Sequence, residues 1–129
     1  MDTKKKYKVL GLIILTSMIT LAGISQDKKD TKNIKYTSFT VSTRQHKVEI
    51  EWSTDNTIAT NYFEVQKSSD GINFKTIALV LGPDPKKPAC DCYGCFDKHM
   101  QKTNTYYRLK HIGANGTAQL SEPKLLIGS

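Results

Sequence analysis

The sequence predicts an all-β protein, an antiparallel two-sheet sandwich of six or seven short strands. Apolar side chains recur with a period of two from about Ile34 onward, and glycine-containing turn signals separate the alternating runs. No helical stripe of useful length occurs after Ser25, so the apolar material has to be buried by sheets packed face to face.

Taken in order, Phe39 and Val41 alternate with Thr40 and Ser42. Val48, Ile50 and Trp52 then alternate with Glu49, Glu51 and Ser53. Trp52 shares its face with Val48 and Ile50, which makes it a core anchor rather than a sugar-stacking platform. Glu49 and Glu51 share the opposite face, where a solvated surface is expected rather than an acid/base pair. Phe63 and Val65 alternate with Glu64 and Gln66 before the turn Ser69-Asp70-Gly71. From Phe74 to Val80 the apolar residues Phe74, Ile77 and Val80 stand three apart, and a β-bulge would reconcile that phase with a strand.

Tyr107 and Leu109 alternate with Arg108 and Lys110, so Tyr106 and Tyr107 must point to opposite faces. One of them belongs to the core, with its hydroxyl bonded to a neighbouring loop, and the other is available on the surface beside Arg108. Asn115-Gly116 supplies the positive φ of a tight hairpin. It also begins an Asn-Gly-Thr acceptor for N-glycosylation, although the turn explains the pair fully. Pro123 interrupts the last run, Thr117–Ile127, and predicts an edge or a break near Glu122. His46 and His111 fall on the apolar phase near strand ends, where partly buried structural histidines are expected.

The N-terminus reads differently. Lys4, Lys5, Lys6 and Lys8 precede an apolar run from Val9 to Ile24 containing the small residue Gly23, followed by Ser25. A basic head, an apolar stretch and small residues at a cut site describe a secretory signal peptide. The run falls short of the roughly 20 residues that span a bilayer. The expected organisation is therefore a signal at 1–25, a flexible leader at 26–33 and one domain at 34–129. Left uncleaved, the signal would be a membrane anchor, the chain's one expected membrane contact. In either case the lysine-rich end stays inside and the domain is exported, to the periplasm, cell envelope or extracellular space.

Of the 129 residues, 19 are Lys or Arg and 12 are Asp or Glu, a formal net charge of +7. Four Lys and Asp2 leave with the signal, so the rest carries 15 basic and 11 acidic residues, or +4. That is ordinary solubility charge. With no basic stripe interleaved with exposed aromatics, nucleic-acid binding is not expected.

The segments Trp52-Ser53-Thr54, Tyr62-Phe63-Glu64-Val65-Gln66-Lys67-Ser68, Asp70-Gly71-Ile72-Asn73-Phe74 and Tyr106-Tyr107-Arg108-Leu109-Lys110 together form a recognisable pattern. Over residues 34–127 the chain resembles fibronectin type III-like modules of exported Bacteroidetes proteins. The resemblance implies an immunoglobulin-like sandwich in which these signatures are structural, and it carries over no catalytic residue. Two positions depart from the pattern: Asp55–Asn61 replaces a Glu and paired Asn, and Gly113 stands where an Asp is common.

Residues 82–99 are the least family-like part and read as a Cys-rich insert. Pro83, Pro85 and Pro88 enforce a stiff approach to Cys90-Asp91-Cys92-Tyr93-Gly94-Cys95, with His99 four residues further on. Cys90, Cys92, Cys95 and His99 are candidate ligands, since three thiolates and an imidazole suit zinc or a soft copper ion. The competing reading starts from export: outside the cytoplasm cysteines pair, through Cys92–Cys95 or Cys90–Cys95, and one thiol is left over. Reduced or intermolecular cysteines are the third reading. Thiol–disulfide exchange is not expected without a helix N-terminus to lower a thiol pKa.

No Ser/His/Asp nucleophile set, phosphate loop or nucleotide fingerprint is present. The sequence therefore predicts a non-enzyme without a cofactor: an exported binding or structural module with an envelope protein or glycan as partner. The alternative is a small zinc- or copper-binding protein.

Overall fold

The computed structural model describes residues 32–99 and 101–129. The signal and most of the leader expected from the sequence lie outside those residues. Among the described residues no helix is long and apolar enough to cross a membrane.

Among the described residues eight strands follow in order: β1 Tyr36–Arg44, β2 Lys47–Thr54, β3 Thr60–Ser68, β4 Lys75–Val80, β5 Cys92–Asp97, β6 Thr105–Gly113, β7 Ala118–Leu120 and β8 Lys124–Leu126. They form two antiparallel sheets, one ordered β1-β2-β5, the other β4-β3-β6 with β7 and β8 sharing the far edge of β6. The expected sandwich is present. The strand count exceeds the expectation where the last run divides. Pro123 has no N–H for a ladder bond, and β7 and β8 pair with Lys110–Ile112 and Thr105–Tyr107 on either side of the gap.

The expected bulge is also present, in β4. Val65 pairs with Ala78 and Gln66 with Thr76, which leaves Ile77 as the extra residue. Gly71 and Gly116 have φ of 75° and 82°, the left-handed values their turns require. His46 differs from the expectation. It stands in the β1–β2 turn, exposed, with φ 60° beside Gln45 at 49°. Strand phase alone did not reveal this turn, because it contains no glycine or asparagine.

The core lies between the sheets. Val48, Ile50 and Trp52 of β2 face Phe63 and Val65 of β3 and Tyr107 and Leu109 of β6. Tyr93 of β5 stacks on Trp52 at 5.7 Å between ring centroids, and Phe63 meets both rings edge-on at 5.3 and 4.8 Å. Such pairs each add about 0.5–1.5 kcal/mol beyond the area they bury. Trp52 is 1% exposed and is therefore the core anchor its phase predicts.

Candidate functional site

The cysteine segment does not form an isolated loop. Residues 92–97 are β5, paired with β2 from Val48↔Asp97 to Ser53↔Cys92. Alternation along β5 turns Tyr93, Cys95 and Asp97 toward β3 and β6, and Cys92, Gly94 and Phe96 to the outside. Cys92 and Cys95 therefore lie on opposite faces and cannot be bridged while the strand is formed. The disulfide joins Cys90 to Cys92, with Cα atoms 5.1 Å apart, and Cys95 is the free thiol. Burial, reinforced by Asp97, pushes the Cys95 thiol up to about 11.

His99 follows the end of β5 with its side chain 88% exposed, at the end of the strand remote from the disulfide. Among the described residues no group of three or more His, Cys, Asp or Glu side chains is arranged to hold a metal ion. The structure thus brings Cys90 and Cys92 together and leaves Cys95 and His99 apart from them.

A different constellation occupies the other end of β5. Asp97 is 7% exposed and lies between the sheets. Its Oδ2 accepts from Lys67 Nζ at 2.7 Å, from the Tyr107 hydroxyl at 2.8 Å and from Gln101 Nε2 at 3.3 Å. Its Oδ1 accepts from the His99 backbone N–H at 3.1 Å. Burial alone would raise the carboxyl pKa. The hydrogen bonds from Lys67, His99 and Tyr107 outweigh it and hold the group below the usual carboxylate range. Burial and the bond to Asp97 push Tyr107 well above the ordinary phenol value. With four donors on its two oxygens, this carboxylate is a fastening between sheets and is poorly placed to accept a proton from a substrate.

Lys67 and Asp97 were not singled out from the sequence, although a signal exists. Lys67 continues the phase of Phe63 and Val65, and Asp97 that of Tyr93 and Cys95. Two opposite charges, each interrupting the inward phase of its own strand, have one another as the economical partner.

Above this ion pair the edges of β4 and β5 flank an open cleft of about 820 Å³, whose lining includes Lys67, Asn73, Lys75, Ile77, Phe96 and Lys98. Its volume falls within the roughly 300–1,000 Å³ typical of ligand sites. One wall is the β3–β4 turn, and its shape follows from Asp70. Asp70 Oδ1 accepts from Ser68 Oγ and from the N–H groups of Ile72 and Asn73, each at 2.7–2.8 Å, and Oδ2 accepts from Asn73 Nδ2. The N–H bonds from Asn73 and Ile72 hold the Asp70 carboxyl well below its ordinary value.

The two sequence signatures interlock behind this wall. A Cβ on Gly71 would touch the Tyr106 ring at 3.4 Å, and the Arg108 guanidinium lies 3.8 Å from the centroid of Phe74 while Nε donates to Gln66. Tyr107, on the other face, is the core tyrosine, and its hydroxyl reaches Asp97. Arg108 is thus committed to the turn and is not free for a ligand. Glu49 and Glu51 are likewise committed, to Arg44 and Lys87. Asn115 Oδ1 accepts from the N–H and hydroxyl of Thr117 within its turn. His111 is fully buried and bonded through Nε2 to Thr60 Oγ1 at 2.9 Å, in keeping with a structural role.

No protein-family model and no curated protein sequence matches the chain. Solved structures do resemble it. Pectate lyase Pel3 from Pectobacterium carotovorum is 14% identical with a TM-score of 0.56, over 70% of this chain and 26% of that one. Pectate lyase PelI from Erwinia chrysanthemi, in complex with tetragalacturonic acid, is 16% identical with a TM-score of 0.53, over 70% and 28%. The solution structure of a fourth FNIII domain of human origin is 17% identical with a TM-score of 0.50, over 74% of this chain and 76% of that one. The fold is FNIII-like. At these identities the likeness extends to the fold alone. The FNIII-like chain spans about a quarter of the length of each lyase.

Proposed function

We propose that this FNIII-like domain is an exported, non-catalytic binding module of the cell envelope whose recognition surface is the cleft flanked by β4 and β5. One observation carries the reading: the cleft exposes lysines that lack a carboxylate partner among the described residues, while the buried carboxylate beside them is already saturated with donors. A surface built to hold a ligand needs unspent donors. A general acid or base needs a carboxylate free to exchange its proton, and Asp97 is not so placed. Residues 1–25 support export by their basic head and apolar run. The match to about a quarter of two longer lyases is compatible with a module that works beside other domains.

The test compares the immobilised domain with a variant whose cleft is obstructed, Ser69→Trp, for retention of solubilised envelope material. Ser69 is exposed on the cleft wall, so the fold should survive, and a thermal melt checks this. Retention lost in Ser69→Trp, with the eluted ligand chemically unchanged, is the expected result. Equal retention by both proteins, or a ligand recovered cleaved, would overturn the reading.

A further inference from the structure

We infer that the cleft takes an acidic oligosaccharide, with sugar carboxylates at Lys75 and Lys98. This rests on the cleft being the recognition surface, as proposed above. Two features of the lining, and one of the adjoining strand edge, point to the ligand class.

The first is charge. Lys67 and Lys75 stand directly opposite one another across β3 and β4, on one face of the sheet, where like charges repel. Asp97 compensates Lys67 at 2.7 Å, but no ion pair is formed by Lys75 or Lys98 among the described residues. The cleft therefore has cations left over for an incoming anion.

The second is the mixture of surfaces. Ile77 is 36% exposed and Phe96 54%, and the side-chain oxygen of Asn73 and the hydroxyl of Ser69 make no hydrogen bond among the described residues. An inorganic anion has no use for apolar surface or for a cavity of about 820 Å³. A pyranose presents C–H faces to the one and hydroxyls to the other.

The third is the strand edge. An acidic polypeptide would gain most by adding a strand to the outer edge of β5. At the start of that edge the Cys92 carbonyl already accepts from the Asp84 N–H at 2.7 Å. The β4–β5 connection thus occupies the start of the edge, at the end of β5 remote from the cleft, and leaves an added peptide strand only the short remainder of β5 to pair with.

Calorimetric titration with alginate oligosaccharides, the same oligosaccharides as methyl esters, and poly-L-glutamate of matched length tests the inference. The proteins are the wild type, Lys75→Gln/Lys98→Gln, and Lys124→Gln as a lysine outside the cleft lining. All three positions are exposed, so folding should be retained. Alginate binding that weakens at least about tenfold in the double variant and less than about twofold in Lys124→Gln supports the inference. Methyl esters bound as tightly as the acids would overturn the requirement for charge. Poly-L-glutamate bound as tightly, with the same sensitivity, would reassign the cleft to acidic polypeptides. No binding of any probe sinks the acidic-sugar inference alone, because the binding-module reading is decided separately by retention of envelope material in the Ser69→Trp comparison.

Discussion

Tyr107 and Asp97 meet across the space between the two sheets, the phenol donating to Asp97 Oδ2 at 2.8 Å while Lys67 reaches the same oxygen at 2.7 Å. Tyr107 and Lys67 belong to one sheet and Asp97 to the other. The three residues therefore hold the sheets together where the aromatic core gives way to the cleft. A rigid floor under an open cleft is what a site on an edge strand needs, since edge strands otherwise open locally at low cost.

Tyr107→Phe removes one donor and leaves Asp97 with its other three, so a loss of about 1.5–3 kcal/mol is expected. Asp97→Asn leaves Lys67 without its counter-charge. The Lys67 side chain is 25% exposed, and water offsets part of the cost. The expected loss is about 2–3 kcal/mol, below the figure for a fully buried pair. The sign of the pH dependence follows from the lowered carboxyl pKa. Asp97 contributes fully above about pH 4, the ordinary carboxylate value, and its contribution is lost as the pH falls through the folded value. Urea melts from pH 7 to pH 2 should show a shallower acid limb in Asp97→Asn, with Asp70 among the groups carrying the remainder. An unchanged limb would mean that the ion pair is not linked to folding.

His111 makes a separate prediction at milder pH. Its ring is buried against Phe63 at 5.1 Å, Nε2 is taken by Thr60, and Nδ1 has no partner among the described residues. Burial lowers its pKa, so the folded state resists the proton that the unfolded state accepts. Stability is full above the ordinary value of about 6.5 and declines as the pH drops through it. The expected outcome is a loss of stability in the wild type between pH 7 and pH 5 and a flatter profile in His111→Gln. Identical slopes would show that His111 does not carry the dependence.

The sheets were legible because the chain alternates: Val48-Glu49-Ile50-Glu51-Trp52 and Tyr107-Arg108-Leu109-Lys110 each state which face is buried. The bulge at Ile77 and the break at Pro123 were legible as local faults in that alternation. Strand β5 was not, since a run such as Cys92-Tyr93-Gly94-Cys95-Phe96-Asp97 puts a glycine and an aromatic outside, and a thiol and a carboxylate inside. Its thiols point to metal or disulfide chemistry, and a disulfide with one thiol left over is present, through Cys90–Cys92, while nothing in the run alone marks the inward Asp97 that fixes the site. The cleft was beyond the sequence altogether, because it is made by the edges of strands separated by the whole Leu81–Asp91 connection.

The β1–β2 turn offers a stabilising substitution. Gln45 and His46 both have left-handed φ, the pattern of a type I′ turn, and neither residue favours it. Asn-Gly is the pair suited to that geometry. Gln45→Asn/His46→Gly should raise stability by about 1 kcal/mol, or roughly 4–8 °C in Tm for a domain of this size. Both side chains are exposed, so no packing is lost. A lowered Tm would indicate that the hairpin turns through some other geometry.

The cysteines give the most direct check on strand β5. Paired with β2, the strand holds Cys95 inward beside Asp97, with a thiol raised to about 11, and Cys92 outward in the disulfide to Cys90. At pH 8 about one Cys95 in a thousand would be thiolate, and iodoacetamide should modify the native protein very slowly. In denaturant without reductant, one thiol should react and peptide mapping should place it at Cys95. After reduction all three should react. A Cys92–Cys95 crosslink would require β5 to come off β2, since those residues face opposite ways along the strand. Stoichiometric zinc or copper lost on Cys92→Ser would require the same rearrangement, because the thiolates of Cys92 and Cys95 cannot share a tetrahedral ion while residues 92–97 remain a strand. Rapid alkylation of native Cys95 would therefore count against the β2–β5 register and, with it, against the placement of Asp97 beneath the cleft.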